Sequence, residues 1–192
     1  MKWVGTLMCA LTLLILMSGC SSGERGREPE DTVLAEVLGI DRVGVTWVLT
    51  TAGKAGTGET VLQTVEGETL TDVFAAIPSA GEKWVLLTGV AQILIGDGVE
   101  PREVLTFILK DSGISWRATV WYAPLAKGLM EEVEGGAARL NVLEESGEKT
   151  VTVLDSLEEL TSEGETELPV LTVRNGQIEI AGVIGYELAE KV

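Results

Sequence analysis

Residues with the right type and spacing for chemistry are the place to begin. Gly53-Lys54-Ala55-Gly56-Thr57-Gly58-Glu59-Thr60 has the spacing of a phosphate-cradling loop, but Glu59 stands where that loop needs lysine. A carboxylate there repels the β- and γ-phosphates that lysine would neutralise. Val61 likewise breaks a dinucleotide-binding glycine fingerprint, so the segment reads as a glycine-rich loop between strands. Twelve carboxylates lie between Glu131 and Glu167 against only Arg139 and Lys149, a local charge of −10. Paired carboxylates can act as a glycosidase acid and base, or ligate calcium. The calcium-loop pattern is absent and adjacent glutamates on a helix point in different directions, so these residues read as a solvated acidic face. Such a face could also dock a basic partner, because complementary charge steers association.

The chain of 192 residues contains no histidine. That removes imidazole bases, Ser–His and Cys–His pairs and histidine-ligated metals. Fourteen Lys and Arg against 30 Asp and Glu give a net charge of −16, the wrong sign for a phosphate backbone. We therefore expect no enzyme, no cofactor, no metal and no nucleic-acid partner.

Lys2 and then fourteen uncharged residues, Val4–Met17, have the layout of an export signal and are short for a membrane-spanning helix. Met17-Ser18-Gly19-Cys20 resembles the lipobox of bacterial lipoproteins, in which cleavage after Gly19 leaves a lipidated Cys20 at the new amino terminus. An ordinary cleaved signal or an uncleaved anchor is the alternative. Cleavage removes Cys9 and Lys2, leaving Cys20 as the one cysteine and a net charge of −17. No disulfide framework is then expected. Anionic headgroups repel such a body, so attachment must come from acyl chains. Residues 21–31 hold no apolar side chain and read as a tether with a root-mean-square reach of roughly 18 Å.

The elements follow from periodicity. Val33–Ile40 and Val43–Thr51 read as strands of a hairpin, and Val61–Val65 as a third. Thr69–Ile77 reads as a helix with Leu70, Val73, Phe74 and Ile77 inward, capped by Thr69 and Asp72 and ended by Pro78. Trp84–Ile95 is expected to be one strand buried on both faces. Pro101 opens a helix that buries Val104, Leu105 and Ile108 and stops at Gly113. Ser115–Ala123 should alternate with Trp116, Ala118, Val120 and Tyr122 on the inner side. Trp121 then points the other way and is the residue we nominate for an interface. Pro124–Val133 should be a helix with Leu125, Leu129 and Met130 inward. Val151–Val153 could be extended or could join a helix through Leu157 and Leu160. Leu171–Arg174 and Gln177–Ile180 flank Asn175-Gly176, the strongest hairpin signal in the chain.

The expected fold is mixed α/β, a mixed β-sheet with helices packed on it and a hairpin at its end. The expected divisions are a signal (1–19), a lipidated cysteine with its tether (20–31), an α/β domain (32–167) and a carboxy-terminal hairpin segment (168–192).

Beyond the cysteine, Leu34-Ala35-Glu36-Val37-Leu38-Gly39-Ile40-Asp41, Gly67–Val73, Ile93-Leu94-Ile95-Gly96, Val104–Asp111, Ala118-Thr119-Val120, Leu168-Pro169-Val170 and Ile180-Ala181-Gly182 resemble stretches of the Ger(x)C family. These are the lipoprotein C subunits of spore nutrient-germinant receptors. The resemblance is to the amino-terminal domain of a diverged or truncated member. It departs from the family pattern at Ser21-Ser22 and at Thr88-Gly89-Val90. It implies a lipid-anchored, non-enzymatic receptor subunit acting in spore germination. Its partners would be integral-membrane subunits, and its location the extracytoplasmic face of the spore inner membrane. An independent solute-binding or envelope-associated lipoprotein without receptor partners is the alternative. The resemblance supplies no catalytic or ligand residues.

Overall fold

The β-branched run after Asp31 folds as β1 (Thr32–Val43) and returns antiparallel as β2 (Thr46–Ala55). Gly44 makes the turn at φ +62°, a conformation costly for residues with a Cβ. The computed structural model describes residues 31–132, 136–145 and 150–187. Strand β3 (Thr60–Gly67) pairs antiparallel with β2 and closes that side of the sheet.

The other side of β1 is parallel. It pairs with β4 (Trp84–Leu86) and β5 (Gln92–Ile95), and β5 pairs with β6 (Thr119–Tyr122). Strand β6 meets the short antiparallel β7 (Val151–Thr152) and, in parallel, β8 (Glu165–Arg174). The hairpin of β8 with β9 (Gln177–Glu187) completes a nine-stranded mixed sheet ordered β3-β2-β1-β5-β6-β8-β9. Five helices pack on it: α1 (Leu70–Ala76), α2 (Pro101–Phe107), α3 (Ala126–Glu132), α4 (Gly136–Glu145) and α5 (Val153–Ser162). The expected mixed α/β class and the terminal hairpin are both present.

Period-two alternation divides the core between two faces. Ile93, Ile95, Val120 and Tyr122 pack with Val73, Ile77, Val104, Leu105 and Ile108 on one face. Leu94 and Trp121 pack with Leu129, Met130 and Leu140 on the other. Two of the helix starts anticipated from sequence are capped as their residues suggest. Thr69 Oγ1 accepts from the Asp72 N–H at 3.1 Å, and Pro101 opens α2. After α2 a π-helical turn, Ile108–Ser112, leads to Gly113 at φ +73°.

Four expectations are corrected. Trp84–Ile95 is two strands separated by a 3-10 turn at Leu87–Gly89. The break matches a bulge in β1 at Glu36, whose carbonyl accepts from the Ala91 N–H at 3.0 Å. Strand β6 starts at Thr119 instead of Ser115. Ser115 holds a turn by accepting the Arg117 N–H on Oγ at 3.2 Å and the Ala118 N–H on its carbonyl at 3.0 Å. Leu125 precedes α3 and is exposed rather than inward. The division at residue 168 falls inside β8, so the hairpin belongs to the same sheet as the rest. At Val151–Val153 both readings are realised. Val151-Thr152 is extended, and Val153 begins α5 behind a reciprocal cap between Thr152 and Asp155.

Candidate functional site

Gly19 and Cys20, the expected cleavage and lipidation residues, lie outside the described residues. Trp121 is placed, and its role differs from the one expected. Trp121 does face away from Val120 and Tyr122, as alternation predicts, but helices cover that face too, so its side chain is 0% exposed whereas Trp116 is 46% exposed. Trp116 precedes β6, so strand alternation does not govern it. Trp121 therefore serves the core and not an outer surface.

Trp121 anchors a polar network that runs from the core to the exposed residues of α4. Its Nε1–H donates to Gln92 Oε1 at 2.7 Å. The Gln92 amide nitrogen then donates to Asn141 Oδ1 at 3.0 Å and Glu144 Oε2 at 2.8 Å. Thr119 Oγ1 donates to Glu144 Oε1 at 2.9 Å. Gln92 and Thr119 stand side by side in the β5–β6 register, both buried, and present donors to one carboxylate from the helix above. Sequence reading missed this group because its members span residues 92–144 and carry no local motif.

A second constellation sits at the carboxy end of the parallel strands. Asp41, on β1, is buried and accepts the Ala126 N–H at 2.9 Å and the Lys127 N–H at 2.8 Å, seating the start of α3. Two glycines make room. A Cβ on Gly96 would lie 2.0 Å from Asp41 Oδ1, and one on Gly39 would lie 2.7 Å from Met130 Sδ. Burial raises the Asp41 carboxyl above its usual range, outweighing the two backbone donors that favour its charge. Nearby, the Tyr122 hydroxyl hydrogen-bonds Asp97 Oδ1. That bond, helped by burial, pushes the phenol up to about 12. Tyr186 meets Tyr122 edge-on with ring centroids 6.2 Å apart, and its phenol is also raised, chiefly by burial. This arrangement keeps both phenols protonated and spends the Asp41 carboxylate on holding a helix.

A concave surface lies elsewhere. A groove of about 530 Å³ runs between α1, β4 and the π-helical turn after α2. Phe74 and Phe107 form its floor with centroids 4.9 Å apart, Trp84 and Leu87 line its wall, and Asp111 is the one ionisable residue in the lining. Its size is within the range of small-ligand sites.

The phosphate-loop lookalike is the end of β2, a turn and the start of β3. It therefore has no helix amino terminus to receive an anion. The described members of the acidic run are mostly exposed, consistent with a solvated face. Some have partners: Glu159 accepts from Thr166 Oγ1 at 2.6 Å, and Glu131 lies 3.8 Å from Lys127 Nζ. Among the described residues no group of three or more acidic or cysteine side chains is placed to hold a metal ion, and no helix is long and apolar enough to cross a membrane. Comparison of the chain with family models, curated proteins and solved structures gives no match in any of the three.

Proposed function

We propose that this chain is a lipid-anchored, non-enzymatic subunit of a membrane nutrient-germinant receptor acting in spore germination. The observation that carries the reading is Met17-Ser18-Gly19-Cys20 behind an uncharged run of fourteen residues, followed by a domain whose segments resemble the Ger(x)C family. Two of those segments, Gly39-Ile40-Asp41 and Ile93–Gly96, meet at the seat of α3, where Gly39, Asp41 and Gly96 each have a steric or hydrogen-bonding role. The resemblance thus runs through residues that hold the fold, which supports it. Two or more acyl chains on Cys20 give durable attachment that a body of this charge could not obtain from headgroups. Anchoring on the extracytoplasmic face turns pairing with integral-membrane subunits into a local encounter governed by effective concentration.

The test is Cys20→Ala in the producing cell. Loss of the protein from the membrane fraction, and co-purification of the wild type with multi-span subunits, are the expected results. Unchanged membrane retention overturns the anchor, and recovery of the wild type alone overturns the receptor assignment.

The groove between α1 and α2 favours a second reading, an independent solute-binding lipoprotein. A small molecule that raises the melting temperature of the isolated protein would favour this reading, because ligands selective for the native state stabilise it.

A further inference from the structure

The connection from Cys20 enters the domain at one particular edge of the sheet. Asp31 precedes β1, and β1 is parallel to β4, β5 and β6, so the amino ends of these strands lie together. Thr32 sits beside Trp84, while Val37, Gln92 and Thr119 form one row further up. Helix α2 carries the chain from the carboxy end of β5 back to this amino edge, where it ends in the π-helical turn. Leu109 and Trp116 are nearly half exposed there. The Arg117 guanidinium covers the Trp116 ring at 4.6 Å from its centroid, and Lys110 is exposed on the turn. A tryptophan with basic neighbours is the composition found at membrane interfaces, where an amphipathic ring sits among headgroups and long cations reach their phosphates.

Apolar exposure by itself does not select this edge, because Val43, Val45 and Leu125 are exposed at the opposite one. Chain length selects it. Eleven steps separate Cys20 from Asp31 and span at most about 36–40 Å fully drawn out. The twelve residues of β1 cover about 40 Å. Turning the carboxy edge to the membrane would stretch the connection to its limit, whereas turning the amino edge to it needs no extension. Resting on the lipid anchor proposed above, we infer that the amino edge is the surface this domain lays against the bilayer, with Trp116 under Arg117 at headgroup level and Leu109 and Lys110 from the preceding turn.

The test uses the full chain, processed and purified from membranes, in phosphatidylcholine vesicles containing a phospholipid with a nitroxide on its headgroup. Once Cys9 has left and Cys20 is a thioether, an introduced cysteine is the sole free thiol. Ser115→Cys and Val45→Cys, each carrying a fluorophore, report the amino and carboxy edges. Quenching several-fold stronger at position 115 than at position 45 is expected. Adding Trp116→Ser and Arg117→Ser to Ser115→Cys should reduce that difference. Equal quenching at the two positions, in protein whose Cys20 is lipidated by mass spectrometry, overturns the inference and leaves the anchor standing. An unmodified Cys20 overturns both.

Discussion

Trp121 donates to Gln92 Oε1 across the β5–β6 pair at 2.7 Å, and this bond decides which way the Gln92 amide faces. With the oxygen committed to the indole, the amide nitrogen must point at α4, where Asn141 and Glu144 receive it. One indole N–H thus orders the contact between the sheet and α4.

Trp121→Phe keeps an aromatic ring in the core but leaves the Gln92 oxygen buried without its donor. An unsatisfied buried acceptor costs about 1–3 kcal/mol. Urea denaturation should show a loss of that size, and amide hydrogen exchange should quicken in α4 more than in α3. An unchanged unfolding midpoint would remove the bond from the account of stability.

Asp41 gives a pH dependence of definite sign. Its native carboxyl binds a proton more tightly than the unfolded one, whose value is 3.8. Its contribution to stability is therefore fully present below 3.8 and is lost as pH rises through the raised native value. Asp41→Asn abolishes this titration. The stability of the wild type relative to the variant should fall as pH rises from 3.8 and then level off. Denaturation of both proteins across that range checks it, and a difference that grows with pH would refute it.

Tyr122 is tested at the alkaline end. Its phenol, raised from 10.0 to about 12 mainly by the bond to Asp97, contributes stability that is present below 10.0 and lost as pH climbs through about 12. Asp97→Asn should return the transition toward 10.0. The chain has two tyrosines, so tyrosinate absorbance resolves the shift.

Ser156, on α5, has a buried hydroxyl with no hydrogen-bond partner among the described residues. Ser156→Ala removes that penalty and improves helix propensity, and should stabilise the protein by about 1 kcal/mol in thermal or urea unfolding.

Much of the fold was legible where the cause is local. Asn175 and Gly176 take φ of +54° and +71°, the positive pair that a type I′ turn demands, and the β8–β9 hairpin forms around them. Pro101 and Gly113 bracket α2 and its π-helical extension as their backbone preferences dictate. The site was less legible. A serine-held turn delays the start of β6 from Ser115 to Thr119 and leaves Trp116 exposed, while helices α3 and α4 cover the second face of the sheet and bury Trp121.

Sequence by itself determined the lipobox-like amino terminus, the acidic balance, the mixed α/β class and most helix starts, because charge, capping and periodicity act within a few residues. Tertiary structure alone decided that Asp41 caps a helix 85 residues away, that Gln92 faces α4, and that Trp116 shares an edge with the start of β1. Those relationships depend on strand order and parallel pairing, which bring distant residues together only after the sheet has closed.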